Sequence, residues 1–278
     1  MPAPTPVTRL VSVLRADNPG PMTLDGTRSY VLRAPGPTRG CVVVDPGPDD
    51  VAHLEALAAA GPVGLILVTH RHADHTAGSA RLHALTRAPV RGADPAFCHD
   101  APPLVDGESV VAAGVRIEVL ATPGHTADSV CFHLPDDGPL VPAPPDHAPS
   151  GSVLTGDTVL GAGTTVLTEP DGSLAAYLAS LDVLERLGTT APDGPALTGL
   201  PGHGPVIDDL AARVRAYREH RLDRLAQVRD ALRALGLRPD GTDAVERVTA
   251  HVYADVDASV LGAARQSVAA QLAFLRSE

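Results

Sequence analysis

With 278 residues, 44 % of them hydrophobic, the chain can bury a core without disulfide staples, as one large domain or as one domain with a small appendage. Its formal net charge of −11 works against non-specific nucleic-acid binding, and no segment reaches the ~18 apolar residues of a membrane-spanning helix. The charge is uneven: residues 1–207 hold 11 Arg against 22 Asp and Glu, and residues 208–278 hold 11 Arg against 11 acids. Lys and Trp are absent and aromatics make up 3 %, so Ala, Val and Leu must supply the packing. Met1–Leu14 lacks the pattern of a signal peptide, which makes the cytoplasm the expected location. Cys41, Cys98 and Cys131 are scattered without metal-type spacing and read as inert buried thiols, not as a disulfide framework.

In chain order, short apolar runs bounded by Gly, Pro and Asp predict strands at Leu10–Leu14, Tyr30–Leu32, Cys41–Val44, Leu65–Val68, Val115–Leu120, Val130–Leu134 and Val153–Leu154. Helical patterns fall between them at Val51–Ala60, Gly78–Arg87 and Leu174–Leu187. Strands mixed with helices in this way indicate a layered α/β or α+β fold. Pro135–Gly151 is rich in Pro and Asp, and reads as an extended, mobile surface hairpin loop whose prolines block ladder pairing. After Pro205 the character changes. Asp208–Leu237 reads as one long helix closed by Gly236 and Pro239, with two more helices around Asp243–Tyr253 and Ala258–Leu275. The chain therefore divides into residues 1–207 and a small helical unit, 208–278, with Val248, Val252, Leu261, Val268 and Leu272 as the unit's own core.

The chemistry concentrates in Thr69-His70-Arg71-His72-Ala73-Asp74-His75, directly after the apolar run Leu65–Val68. A buried strand thus ends by presenting three imidazoles and a carboxylate in six residues. Turn chemistry does not call for histidines. Borderline-soft divalent ions, zinc above all, prefer these donors. Three further candidates each follow a strand-like run and sit beside glycine: His125 in Pro123-Gly124-His125, Asp157 in Gly156-Asp157-Thr158, and His203 in Gly202-His203-Gly204. Glycine lets backbone approach a crowded centre. His53, His83, His99, His133, His147, His220 and His251 have no partners in sequence and read as structural or solvated.

The order HxHxDH, His, Asp, His resembles the metallo-β-lactamase superfamily over the first 207 residues. The resemblance implies a four-layer αβ/βα sandwich with two metal ions at one edge of its sheets. It also implies ligand roles. His70, His72 and His125 would hold one ion, Asp74, His75 and His203 the other, and Asp157 would bridge them. Asp45, in Val44-Asp45-Pro46-Gly47, matches a position that supports the ligands from behind. Asn18-Pro19-Gly20, Thr23 to Tyr30, Gly156 to Thr165 and Pro201 to Ile207 look like the β-lactamase-like protein 2 branch, related to glyoxalase II and carrying a small winged-helix-like C-terminal domain. Arg28-Ser29 departs from the Asn-Thr common in that branch, which puts specificity in question if the segment touches substrate.

Two Zn2+ ions are the expected cofactors; Mn2+ or Fe2+ would suit the same donors. Bridged by Asp157, they would lower the pKa of a shared water from 15.7 towards about 7 and so provide a hydroxide nucleophile at neutral pH. Asp74 would relay a proton to the leaving group. No GxSxG elbow is present. The expected reaction is hydrolysis of a small ester or thioester, as in glyoxalase II. Its alternative is single-strand RNA cleavage, supported by Arg213, Arg215, Arg218, Arg221, Arg224, Arg229 and Arg233 on the long helix. Interleaved Glu219, Asp223 and Asp230 favour a solvated helix face over an RNA-binding one. β-Lactam hydrolysis and single-iron persulfide oxygenation rank lower, the second because the second-metal set is complete. The partner is thus a small molecule, with RNA secondary and no membrane; the helical unit is expected to form a homodimer or to shape the substrate entrance. Strand direction further places the tip Pro142–Pro149 on the side away from the metals.

Overall fold

The computed structural model describes residues 2–36, 40–140, 151–189, 196–255, 257 and 260–278. The first sheet has six strands in sequence order: β1 (Thr5–Pro6), β2 (Val11–Arg15), β3 (Arg28–Leu32), β4 (Cys41–Val44), β5 (Val63–Leu67) and β6 (Val90–Arg91). β1 to β4 pair antiparallel, and β4, β5 and β6 run parallel. The second sheet has five strands: β7 (Ser109–Ala112), β8 (Val115–Ala121), β9 (Val130–Leu134), β10 (Ser152–Gly156) and β11 (Thr198–Pro201). Its order is β11-β10-β9-β8-β7, antiparallel except for the parallel β10–β11 pair.

Side-chain alternation along the strands builds the layers. Leu32, Val42, Val44, Leu65 and Leu67 face inward from the first sheet, against Ile117, Val119, Phe132 and Leu154 of the second. Their alternates, Val31, Cys41, Val43 and Ile66, face outward onto helices α1 (Val51–Ala59) and α3 (Ser79–Thr86) through Leu54, Leu57 and Leu82. Cys131 and Val153 face the opposite way, onto α4 (Leu174–Thr189) and α5 (Leu210–Leu235). The result is the four-layer αβ/βα sandwich. Cys41–Val44 is buried throughout, and its residues touch apolar neighbours on both faces, which is why it reads as an unbroken apolar run.

Helix α5 starts at Asp209, whose carboxylate accepts from Ala212 N at 2.9 Å, and ends at Gly236 with φ 62°. Its 26 residues serve two cores. Leu210, Val214, Tyr217 and Leu225 pack with α4 and the second sheet. Val228, Ala231 and Leu232 pack with α6 (Ala244–Val252) and α7 (Leu261–Arg276) through Val248, Val268 and Leu272. Four strands lie outside the expected set. β1 and β6 have two residues each, β7 alternates half-buried with exposed at a sheet edge, and β11 (Thr-Gly-Leu-Pro) holds a single aliphatic side chain, so none carries a strong apolar signal. Of the Pro-rich loop, 141–150 lie outside the described residues, as does the expectation for its tip. No helix among the described residues is long and apolar enough to cross a membrane.

Asp137 ties the sheets at the end away from β5's histidines. Fully buried, it accepts from Thr8 Oγ1 at 2.6 Å, Leu10 N at 2.9 Å and Ser152 Oγ at 2.6 Å. Replacing it orphans three donors at once. Asp137→Ala is expected to cost about 2–4 kcal/mol, read as a lower urea midpoint, with metal content of the folded protein unchanged.

Candidate metal centre

All the metal-binding candidates lie where strands end at one edge of the sandwich. β5 delivers His70, His72 and, through the short helix α2 (Ala73–Thr76), Asp74 and His75. β4 ends at Asp45, β10 at Asp157 and β11 at His203, while His125 follows β8. The seven expected ligands converge as three overlapping clusters: His70, His72 and His125; His70, His75 and Asp157; Asp74, His75 and His203.

In the first cluster, His70 Nε2 and His125 Nε2 each stand 3.0 Å from His72 Nδ1. In the third, His75 Nε2 is 3.3 Å from His203 Nε2, and His203 Nε2 is 3.1 Å from Asp74 Oδ2. Asp157 lies between them, with Oδ1 3.4 Å from His75 Nε2 and Oδ2 3.4 Å from His203 Nε2 and 3.8 Å from His125 Nε2. A tetrahedral ion with imidazole bonds of about 2.0–2.1 Å sets its ligand atoms about 3.3 Å apart. The separations therefore suit ions at the centres of these clusters. Asp157 Oδ1 is buried yet accepts no hydrogen bond, a costly state for a carboxylate oxygen that a cation would relieve.

The backs of the imidazoles decide which nitrogen is free. Asp45 is buried in a left-handed turn at φ 53° and accepts from Thr69 N, Thr69 Oγ1 and His75 Nδ1, each at 2.8 Å. With its proton given to Asp45, Thr69 Oγ1 can only accept from His70 Nδ1, 3.1 Å away. His125 Nδ1 donates to the Val166 carbonyl at 2.9 Å. His70 and His125 thereby keep their protons on Nδ1 and present bare Nε2 atoms to the centre, and His75, with Nδ1 held by Asp45, has Nε2 as the atom left to bind an ion. Thr69 was not singled out from the sequence; its place beside His70, with Asp45 on the parallel neighbouring strand, is the signal that could have found it. Gly202 leaves room for the crowding, because a Cβ there would lie 2.4 Å from Asp157 Oδ1 and 2.7 Å from His75 Cε1.

Electrostatics divide the histidines into two groups. Burial, with His75 adding repulsion, holds the His70 pKa well below the usual range, and burial also lowers that of His125. Burial opposes charge on His75 as well, but Asp157 and Asp45 outweigh it and raise its pKa well above the usual value. For His203, hydrogen bonds to Asp157 and Asp74 overcome burial and bring the pKa up to about 9. Burial would raise the pKa of Asp74, yet His203 and His75 keep it ionised and well below the carboxylate range.

The N-terminal segment and α5 enclose the centre. Thr27 Oγ1 donates to Asp74 Oδ2 at 3.2 Å and is itself held by Asn18 Nδ2 at 2.9 Å. The departure at Arg28-Ser29 falls behind this wall, since Arg28 pairs with Asp25 at 3.1 Å and Ser29 Oγ meets His53 Nε2 at 2.8 Å. Residues 158–166 run from Asp157 to the carbonyl that holds His125, and α5 clamps them. Arg213 donates to Leu160 O at 3.2 Å and Gly163 O at 2.9 Å, Tyr217 Oη accepts from Leu160 N at 2.9 Å, and Arg221 donates to Thr165 O. Two arginines read as a solvated face thus point into the protein. Arg218, Arg229 and Arg233 pair with Asp182, Glu278 and Asp230. A cavity of about 150 Å3 opens onto His125 and Asp157, walled by Met22, Leu24 and Leu160.

Comparison with known proteins places these features in a family. The metallo-beta-lactamase superfamily domain is matched over residues 22–143. An atrochrysone carboxyl ACP thioesterase of Aspergillus chevalieri is 32 % identical over 95 % of this chain and 81 % of its own length. The beta-lactamase-like protein 2 homolog of Caenorhabditis elegans is 30 % identical over 94 % of this chain and 81 % of its own. The crystal structure of a beta-lactamase domain protein from Burkholderia ambifaria superposes with a TM-score of 0.73 at 21 % identity, covering 99 % of this chain and 88 % of that one.

Two outcomes check the centre. Thr69→Val breaks the relay to His70 and is expected to weaken metal binding about 10- to 100-fold, with Thr69→Ser restoring it, as read by competition with a chromophoric chelator. In the metal-free chain His75 and His203 carry protons that ligation must displace, so metal affinity should fall as pH drops below about 9. Calorimetry in buffers of different ionisation enthalpy should register proton release on zinc binding at pH 7.5; buffer-independent heats would contradict the assignment.

Proposed function

The chain belongs to the metallo-beta-lactamase superfamily, and from this we propose that it is a binuclear zinc hydrolase of small esters or thioesters. A metal-dependent hydrolase is what the family and the clustered His and Asp side chains support. The observation that carries the two-ion reading is the bridging position of Asp157, with one oxygen facing His75 and the other facing His125 and His203. The thioester reading draws support from the relative named as an acyl-carrier thioesterase.

Bound divalent ions supply a Lewis acid for the carbonyl oxygen and a nucleophile from water at neutral pH. The chain's own residues prepare for this. Asp45 and Thr69 orient His75 and His70, the Val166 carbonyl orients His125, and the loop held by α5 walls the cavity. Asp74 is 28 % exposed where Asp157 is 10 % exposed, which supports giving Asp74 the transfer of a proton between solvent and the departing thiol or alcohol, as a strongly ionised carboxylate that accepts the proton only in passing. Water adds to the carbonyl, the C–S or C–O bond breaks, and the products are a carboxylic acid and a thiol or alcohol. We assign catalysis to residues 1–207 and take the winged-helix-like unit 208–278 to shape the entrance. The inward turn of Arg213 and Arg221 and the ion pairs of Arg218, Arg229 and Arg233 weigh against RNA cleavage, because they leave no continuous basic stripe on α5.

Metal analysis by mass spectrometry should return two zinc ions per chain. A zinc-loaded sample should hydrolyse acyl thioesters and leave a labelled single-stranded RNA intact. Asp157→Ala and His72→Ala should each cut kcat/KM by about 10²–10³-fold or more. RNA cleavage lost in both variants would replace this reading, and one iron per chain would overturn the metal assignment.

A further inference from the structure

Four of the five clustered imidazoles are held from behind. Asp45 holds His75, Thr69 holds His70, the Val166 carbonyl holds His125, and the Gly26 carbonyl stands 3.4 Å from His203 Nδ1. His72 is the exception. It is exposed, and among the described residues its ring meets only His70 and His125, the two side chains it must join around an ion. A side chain without such a partner is free to turn, and ordering it costs entropy when metal binds. Its aim must therefore come from the backbone that carries it. On the C-terminal side that backbone is fixed, since the His72 carbonyl accepts from His75 N, Thr76 N and Thr76 Oγ1 at 3.0 Å each.

On the N-terminal side stands Arg71. Its guanidinium meets three carboxylates through three different nitrogens: Nε to Asp128 Oδ1 at 3.0 Å, Nη2 to Asp94 Oδ2 at 3.5 Å and Nη1 to Asp171 Oδ1 at 3.7 Å. The acids come from three separate loops. Asp94 opens the short turn Pro95–Phe97 and accepts from Ala96 N at 2.9 Å. Asp128 follows His125 by three residues and is 8 % exposed, so its bond to Arg71 is sheltered from water. Asp171 precedes α4 and also accepts from Ala127 N at 3.1 Å. Arg71 thus grips the His125 turn twice, directly through Asp128 and indirectly through Asp171. Among the described residues none of the three acids pairs with another cation. A single exposed ion pair contributes little, but one planar fork shared by three loops fixes those loops relative to one another.

We propose that Arg71 is the positioning residue for one of the two metal ions. It sets the segment of His70 and His72 against the turn of His125, so that three imidazoles from two segments face one ion. It does for His72 through the backbone what Asp45 does for His75 through a hydrogen bond. The set of Asp74, His75 and His203 takes its orientation from Asp45 and Thr27 and does not depend on Arg71. The proposal rests on the two-ion reading of the centre, and the test separates the two.

Zinc affinity of the full-length protein is measured by competition with a chromophoric chelator in two backgrounds. His203→Ala leaves the set of His70, His72 and His125, and His125→Ala leaves the set of Asp74, His75 and His203. Adding Arg71→Gln is expected to weaken zinc about 10- to 100-fold in the first background and under about threefold in the second. Arg71→Lys, a point charge that cannot span three carboxylates, should recover only part of the loss. Asp137→Ala, which lowers stability at the other end of the sheets, serves as the comparator and should leave both affinities unchanged. If Arg71→Gln does not fold, Asp128→Asn removes the sheltered contact alone and should show the same selectivity. Equal weakening in both backgrounds, or none in the first, would overturn the assignment. An otherwise unaltered chain that binds a single zinc would sink the two-ion reading, and the comparison in His203→Ala would still decide the role of Arg71.

Discussion

The aim of two imidazoles at the metal edge, His70 and His75, hangs on the carboxylate of Asp45. It is 2 % exposed, and three donors at 2.8 Å compensate its burial. One donor is His75 itself. Another is the Thr69 hydroxyl, which hands the constraint on to His70. A single buried acid thus orients one imidazole in each of two clusters. It does so from a left-handed turn at the end of β4, where the parallel pairing with β5 brings it beside Thr69. Because the backbone positions Asp45, the geometry of the imidazoles is a property of the sheet.

The second dependence runs through the loop after β10. Asp157 begins it, and the carbonyl that fixes His125 ends it. Arg213, Tyr217 and Arg221 fasten its middle to α5, a helix that continues into the C-terminal core. Tyr177 of α4 adds a bond to Thr158 O at 2.6 Å and packs so closely on Gly124 that a Cβ there would sit 2.4 Å from its Cα. The candidate ligands His125 and Asp157 are therefore coupled to the outer helical layer.

Much of this was legible in advance for specific reasons. Cys41–Val44 and Val130–Leu134 read as strands with their observed bounds because both lie inside a sandwich and are almost uninterrupted apolar runs. The HxHxDH cluster was legible because its ligands are local in sequence and have no role in an apolar core. The edge strand β7, with Val111 73 % exposed, left no comparable trace. The arginines of α5 misled for a related reason: their spacing with acids describes a helix surface, and spacing alone does not say what lies against it.

The sequence by itself determined the donor types, their order and the strand ends that carry them, since those are properties of short segments. Only the tertiary structure decided which nitrogen each histidine presents, which arginines are buried and where the centre opens. Those depend on groups far apart in the chain: Asp45 with His75, Arg221 with Thr165, Tyr217 with Leu160. Hydrogen-bond direction and burial are set by such neighbours, and no local pattern encodes them.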